Sequence, residues 1–142
     1  MIACSGADNV SIDVQVSGTI RYQDKEYGRQ GFTGVEDYKY VRYATVELVD
    51  GLVVIDSTIS DELGRYNLIG SGVNLYLRVV AESYANADVL LSVHNYNKAL
   101  YSVTRQIKIN GENEIDVDIS HANPAVGAFN ILVVYINSTQ FL

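Results

Sequence analysis

The chain has 142 residues, enough for one domain with a sizeable core, and 48% of them are hydrophobic, which excludes a disordered polypeptide. Ten basic residues against 17 acidic ones give a net charge of −7, so the sequence lacks the basic footprint with which proteins bind nucleic acid or anionic lipid. One cysteine excludes an intramolecular disulfide, and no apolar run reaches the roughly 18 residues that span a bilayer.

Residues 1–9 are predicted to form a polar tether ahead of the folded domain. Cys4 follows the small residue Ala3, an arrangement typical of bacterial lipoprotein signals, in which the cysteine is lipidated after cleavage. The charged and apolar parts of such a signal are missing from the sequence. Two interpretations stay open for Cys4: it is a lipid anchor, or it is a cysteine without a role.

Alternation of apolar and polar residues predicts the first β-strand. From Val10 to Ile20 every second side chain is apolar except at Gly18, as expected of a strand with one buried face. Gly18 indicates a bulge or a close approach of another backbone segment. Five further strands are predicted, at residues 41–49, 52–58, 65–69, 75–81 and 89–93.

An acidic turn precedes the strand at residues 65–69. Asp61 is expected to cap this turn with its carboxylate, and Gly64 is expected to adopt the left-handed backbone conformation that a tight turn needs. Tyr66 and Leu68 then alternate inward.

Residues 23–40 are predicted to form a long loop, because they contain three glycines and show no sustained periodicity. Asp24 and Glu26 would meet Glu36 and Asp37 if the ends of this loop close. Four carboxylates at one place would suit Ca²⁺, which binds six to eight oxygen ligands. The alternative is that all four are solvated surface charges.

The parity of the apolar pattern predicts a hairpin between residues 101 and 120. A three-residue loop, Asn110 to Glu112, would pair Ile107 with Ile115 on one face, whereas a two-residue loop would set an apolar side chain against a charged one. This prediction holds only if the two strands are direct neighbours.

Three acidic side chains, those of Glu114, Asp116 and Asp118, share one face of the second strand of that hairpin. They are interpreted as a solvated face opposite basic or polar partners, with a cation site as the alternative.

Residues 122–142 form a separate C-terminal segment that is predicted to be helical. Asn123-Pro124 is typical of a helix start, with an N-cap followed by proline at the first helical position. The apolar spacing of a helix face is followed by Ala128, Ile131, Leu132, Tyr135, Ile136 and Thr139. Several β-branched residues in the same segment leave an extended strand as the alternative.

No motif in the sequence indicates an enzyme. The two histidines, His94 and His121, have no metal-ligand spacing, and nothing resembles a nucleophile elbow or a glycine-rich phosphate loop. We therefore expect no catalysis, no catalytic residues and no cofactor other than the calcium ion considered above.

Three motifs carry a resemblance to a known family. Residues 16–22 (VSGTIRY), 41–50 (VRYATVELVD) and 61–66 (DELGRY) resemble the carboxypeptidase regulatory-like, or transthyretin-like, domains of bacterial surface proteins and lipoproteins. The resemblance implies an all-β fold, a seven-stranded Greek-key β-sandwich of the transthyretin-like or immunoglobulin-like kind, here over residues 10–121. It also implies an extracellular or cell-surface location. Tyr40 departs from the family pattern, which has proline before the Val-Arg pair.

Three functions follow as hypotheses. The first is a non-catalytic structural or protein-interaction module at a bacterial cell surface. The second is a self-assembling subunit of an extracellular filament, in which Val10–Tyr22 or Val133–Leu142 adds to the edge strand of another copy. The third is a carbohydrate-binding module, since the chain has 11 tyrosines whose rings can stack on sugars. The expected partners are proteins, including copies of the same chain, with no nucleic acid and no membrane contact except through a lipid anchor.

Overall fold

A computed structural model describes residues 12–85, 88–108 and 111–139. The chain is mostly β, with 59% of it in strands and one C-terminal helix, so the predicted all-β class is confirmed. The strands are β1 (Ile12–Gly28), β2 (Gly31–Tyr40), β3 (Thr45–Asp50), β4 (Val53–Ile59), β5 (Arg65–Gly72), β6 (Leu75–Val80), β7 (Glu82–Ala85), β8 (Asp88–Ser92), β9 (Ser102–Gln106), β10 (Gly111–Glu114) and β11 (Val117–Ile119), and the helix is α1 (Val126–Thr139).

Strand β1 is the centre of the first sheet. One of its edges pairs antiparallel with β5 over residues 12–19 and with β2 from residue 21 onward. The other edge pairs parallel with β10 and then with β11. Ser17 is opposite Glu114 and Ile20 is opposite Val117, so the register is the same along both partners. β10 and β11 therefore act as one strand that is interrupted at Ile115 and Asp116.

The second sheet is antiparallel, with the strand order β4-β3-β6-β9. Strands β7 and β8 form a separate two-stranded sheet. The two larger sheets and α1 contribute to one hydrophobic core. The largest side chains with no more than 2% exposure include Tyr22, Leu48, Leu68, Leu77, Ile119 and Phe129.

The predicted loop at residues 23–40 is wrong, because most of these residues form the β1–β2 hairpin. The register shifts between Lys25 and Tyr27, and such an irregularity breaks the two-residue period by which a strand is identified in a sequence. Gly31 and Gly34 have positive φ angles of 99° and 91°, which fit the turn and the irregular stretch of a hairpin.

The predicted strand at 41–49 begins only at Thr45. Tyr43 has a positive φ of 57°, which interrupts an extended chain. The buried Ser60 hydroxyl holds this bend, since it donates to the carbonyl of Val41 and accepts from the N–H of Ala44. The strands predicted at 52–58, 65–69, 75–81 and 89–93 correspond to β4, β5, β6 and β8.

The predicted hairpin between residues 101 and 120 is also wrong. β9 belongs to the second sheet and β10 to the first, so the chain crosses between the sheets instead of folding back on itself. The crossing is held by the Asn113 side chain, which bonds both backbone groups of Lys108 at 3.0 Å. The pairing of Ile107 with Ile115 assumed neighbouring strands, and that assumption fails.

The C-terminal segment is helical over Val126–Thr139, as predicted. The side chain of Asn123 accepts a hydrogen bond from the N–H of Ala125, which caps the turn before the helix. The buried face is rotated relative to the predicted one: Phe129 and Val133 are buried, whereas Ile131 and Tyr135 are exposed. Within the described residues, no helix combines the length and the apolar character needed to cross a bilayer.

Candidate interaction site on the second sheet

The outer face of the second sheet carries a row of polar side chains on its last two strands. Side chains alternate between the faces of a strand, and directly opposite residues are neighbours on one face. The neighbouring pairs on this outer face are Tyr76 with Gln106, Arg78 with Thr104, and Val80 with Ser102. We call this surface, together with the free edge of β9, the β9 face.

An ion pair lies at the centre of the β9 face. The Arg78 Nε donates to the Glu47 Oε1 at 2.7 Å, across the β3–β6 pairing. The side chains of Arg78 and Glu47 are only 32% and 17% exposed, so the pair is partly removed from water. Both side chains line the first of two clefts on this face.

The first cleft lies at the Ser102 end of β9. It has a volume of about 290 Å³ and is lined by Glu47, Arg78, Val80, Glu82, Leu100 and Ser102. Thr45 donates from its hydroxyl to the Glu82 carbonyl at 2.9 Å, and the Tyr84 hydroxyl donates to the Glu82 carboxylate at 2.5 Å. The carboxylate of Glu82 raises the pKa of Tyr84 through this hydrogen bond. Because Arg78 neutralises Glu47, the negative charge of this cleft is that of Glu82.

The second cleft lies at the Gln106 end of β9. Its volume is about 360 Å³, and Tyr76, Thr104, Arg105 and Gln106 line it. The Tyr76 hydroxyl donates to the Gly51 carbonyl at 3.1 Å, and Arg105 donates from Nη1 to the carbonyl of Thr104 at 2.9 Å. This cleft has one positive charge and an aromatic wall. The two ends of β9 are therefore oppositely charged.

The predicted calcium ligands are only partly described. The hairpin places Asp24 directly opposite Asp37, so the two ends of the segment do meet. Asp24 is already engaged, because the Nζ of Lys39 lies 2.7 Å from its Oδ2, and Asp37 accepts from the N–H of Tyr38. The side chains of Glu26 and Glu36 lie outside the described part of the structure. The calcium site stays a prediction, and so does lipidation of Cys4, which also lies outside the described residues.

Two of the three acidic side chains that were predicted to share one face, those of Asp116 and Asp118, have structural partners. Asp118 accepts two hydrogen bonds of 2.8 Å from the Arg21 guanidinium. The carboxylate of Asp116 accepts from the N–H of Thr19 at 2.9 Å, opposite the interruption between the two strands. These contacts agree with the interpretation as a solvated face with basic and polar partners. Among the described residues, no group of three or more histidine, cysteine or acidic side chains is arranged to hold a metal ion.

The acidic turn forms as predicted. The Asp61 carboxylate accepts from the N–H groups of Leu63 and Arg65 at 2.9 and 2.8 Å, and from the Arg65 Nε at 2.9 Å. Partial desolvation raises the pKa of Asp61, but these hydrogen bonds outweigh it and hold the pKa below its usual value. Gly64 has a φ of 69° and packs against the backbone of Ile20.

The two histidines lie at structural positions. His94 forms an isolated β-bridge with Leu100, and the N–H of His121 donates to the Gln23 side chain at 3.0 Å. The absence of catalysis stays an expectation.

Sequence reasoning did not find the β9 face. The signal was present as two charged residues, Glu47 and Arg78, each with an apolar residue on either side in its strand. Such charges in central strands indicate a cross-strand pair on the outer face. The clefts beside them form only because β3, β6 and β9 are neighbours in the sheet, and the sequence does not show this strand order.

No protein-family model matches the chain, and no curated protein matches it.

Proposed function

We propose that this protein is a non-catalytic β-sandwich module that serves as a structural or protein-interaction unit at a bacterial cell surface. The observation that carries this proposal is the use of both candidate assembly segments within the chain's own fold, as far as the structure describes them. Residues 14–17 have β-partners on both edges, residues 20–22 pair with β11, and Val133 and Ile136 of α1 are buried in the core. The described parts of the two segments are therefore not free to add to another copy, as the filament hypothesis requires.

The strand pairing supports the finer assignment of a seven-stranded Greek-key sandwich. Counted with β10 and β11 as one interrupted strand, the first sheet has β5, β1 and β10–β11 beside the second sheet of four. The other strands, β2 and the β7–β8 pair, are then additions to a framework of seven. The cell-surface location rests on the family resemblance of residues 16–22, 41–50 and 61–66.

Light scattering across a concentration series tests the module against the filament. We expect a mass near 15.6 kDa at every concentration. Growth into large species, with fibres visible by electron microscopy, would replace the module with the self-assembling subunit.

A further inference from the structure

We propose that β9 binds an extended peptide segment of a partner protein, which adds as a fifth strand to the β4-β3-β6-β9 sheet and places an acidic and a basic side chain, four residues apart, in the two clefts of the β9 face. This inference rests on the proposed function as an interaction module and names the kind of partner that the module takes.

The edge of β9 is regular. β9 pairs with β6 over five residues without a register shift. In the part of the chain that the structure describes, no strand pairs with its second edge. A regular, unpaired edge presents a row of backbone N–H and C=O groups that an extended chain can bond.

The other sheet edges have structural features that oppose the addition of a further strand. Register shifts interrupt the β1–β2, β3–β4 and β7–β8 pairings, so β2, β4 and the β7–β8 sheet lack a regular edge. On the free side of β5, the Asp56 carboxylate of β4 accepts from the N–H of Ile69 at 2.9 Å. The combined β10–β11 strand is interrupted at Ile115 and Asp116 and carries exposed acidic side chains. β9 has no register shift and no acidic side chain; its edge carries one local contact, from the Arg105 Nη1 to the Thr104 carbonyl, which an added strand would displace.

The two clefts differ in charge. A peptide strand beside β9 would project every second side chain onto the outer face of the sheet. Ser102 and Gln106 are four residues apart, so peptide residues at i and i+4 would reach the two clefts, about 13 Å from each other. A basic side chain suits the cleft with Glu82, and an acidic one suits the cleft with Arg105.

A second copy of the chain fits this site poorly. In a β9–β9 pairing, the outward side chains beside the clefts would be those of Ser102, Thr104 and Gln106, which carry no charge to match Glu82 or Arg105. Each copy also has a net charge of −7, which opposes close association. The occupant is therefore a segment of another protein.

Synthetic peptides test the inference directly on the full chain. The probes are fluorescein-labelled Thr-Glu-Val-Thr-Val-Lys-Thr and its charge-exchanged form, Thr-Lys-Val-Thr-Val-Glu-Thr, with binding measured by fluorescence anisotropy. An antiparallel strand would place the first half of the peptide beside Gln106, so we expect the form with the acidic residue first to bind tighter, by about fivefold or more. The opposite preference would indicate parallel addition at the same site. Equal binding of the two, or no binding, overturns the inference.

Backbone methylation separates strand addition from simple charge attraction. Two versions of the tighter peptide carry N-methyl groups on alternate residues, one set on the edge that faces β9 and one on the opposite edge. We expect the first set to abolish binding and the second to leave it unchanged. Equal effects of the two sets contradict strand addition.

Charge reversal on the protein gives the matched control. Arg105→Glu should weaken the tighter peptide by about fivefold, and replacing the acidic residue of the peptide with lysine should restore the affinity. Arg29→Glu makes the same charge change in the exposed β1–β2 turn and should have no effect. An equal loss in both variants, or no rescue, contradicts the assignment.

A monomeric mass in light scattering with no peptide binding would refute the β9 site and leave the module, whereas assembly into fibres would refute the module itself.

Discussion

The close approach of two strands at Gly18 offers a sharp test of the first sheet. A Cβ atom built on Gly18 overlaps the carbonyl oxygen of Ile115 and lies 2.6 Å from its carbonyl carbon. This carbonyl cannot move freely, because the Tyr66 hydroxyl donates to it at 2.7 Å and the N–H of Ile115 donates to Ser17 at 2.8 Å. Gly18→Ala therefore forces β1 away from the interruption between β10 and β11.

Two terms lower the stability and one raises it. Overpacking against fixed atoms costs about 1–3 kcal/mol. Loss of the hydrogen bond between Tyr66 and Ile115 adds about 1 kcal/mol, and the reduced chain entropy of alanine returns up to about 1 kcal/mol. We therefore expect Gly18→Ala to lower the free energy of unfolding by about 1–4 kcal/mol, measured by denaturant titration with far-UV circular dichroism.

Gly127→Ala is the matched control for this substitution. Among the described residues, no atom other than those of the chain neighbours and the helix backbone lies within 4 Å of a Cβ at Gly127. The residue lies in α1, so alanine should raise the free energy of unfolding by about 0.5–1 kcal/mol. A Gly18→Ala protein within about 1 kcal/mol of the wild type, alongside a stabilised Gly127→Ala protein, would refute the close approach.

Three further predictions concern single side chains. Burial, assisted by Asp24, raises the pKa of Tyr22 to about 12, so its contribution to stability is complete below the unfolded value of about 10 and is lost as the pH rises through 12. This contribution is up to about 3 kcal/mol, so the fall in stability between pH 9 and pH 12, measured from denaturation midpoints, should be smaller by that amount in Tyr22→Phe. Asp61→Ala should lower the free energy of unfolding by about 1 kcal/mol at neutral pH. Because the folded-state pKa of Asp61 is lowered, this difference from the wild type should shrink as the pH falls below about 4, and chemical denaturation at pH 7 and pH 3 would check it. By the same assay, Phe129→Ala should lower the free energy of unfolding by about 3–5 kcal/mol, because Phe129 is fully buried. Ile131 is 56% exposed, so Ile131→Ala should lower it by less than about 1 kcal/mol. Similar values for both variants would contradict the packing of α1.

Local chemistry explains which elements the sequence could predict. The acidic turn depends on Asp61 and Gly64, which lie within three residues of each other, and the turn forms as expected. The first strand has one buried face, so its alternation identifies it and leaves Gly18 as the exception. In each case the residues that stabilise the element are close to one another in the sequence.

Elements that depend on distant partners could not be predicted in the same way. The parity argument for residues 101–120 is correct only for adjacent strands, but β10 pairs with β1, where Ser17 meets Glu114. The helix face was misplaced because α1 has apolar residues on both sides, so that Ile131 and Val134 fit a buried stripe as well as Phe129 does. Only the position of the core decides between them.

The distribution of charge along the sheet edges connects the composition to the proposed interaction. An excess of seven negative charges could serve solubility alone, yet the acidic residues are not spread evenly over the edges. Asp56 joins the free sides of β4 and β5, and Asp116 and Asp118 occupy the outer strand of the first sheet. Inward-pointing or clustered charges on edge strands oppose addition of another chain. β9 lacks acidic residues and its one charged side chain is Arg105, so the acidic protection of β5 and of the β10–β11 strand is missing from the edge where we propose that the peptide adds.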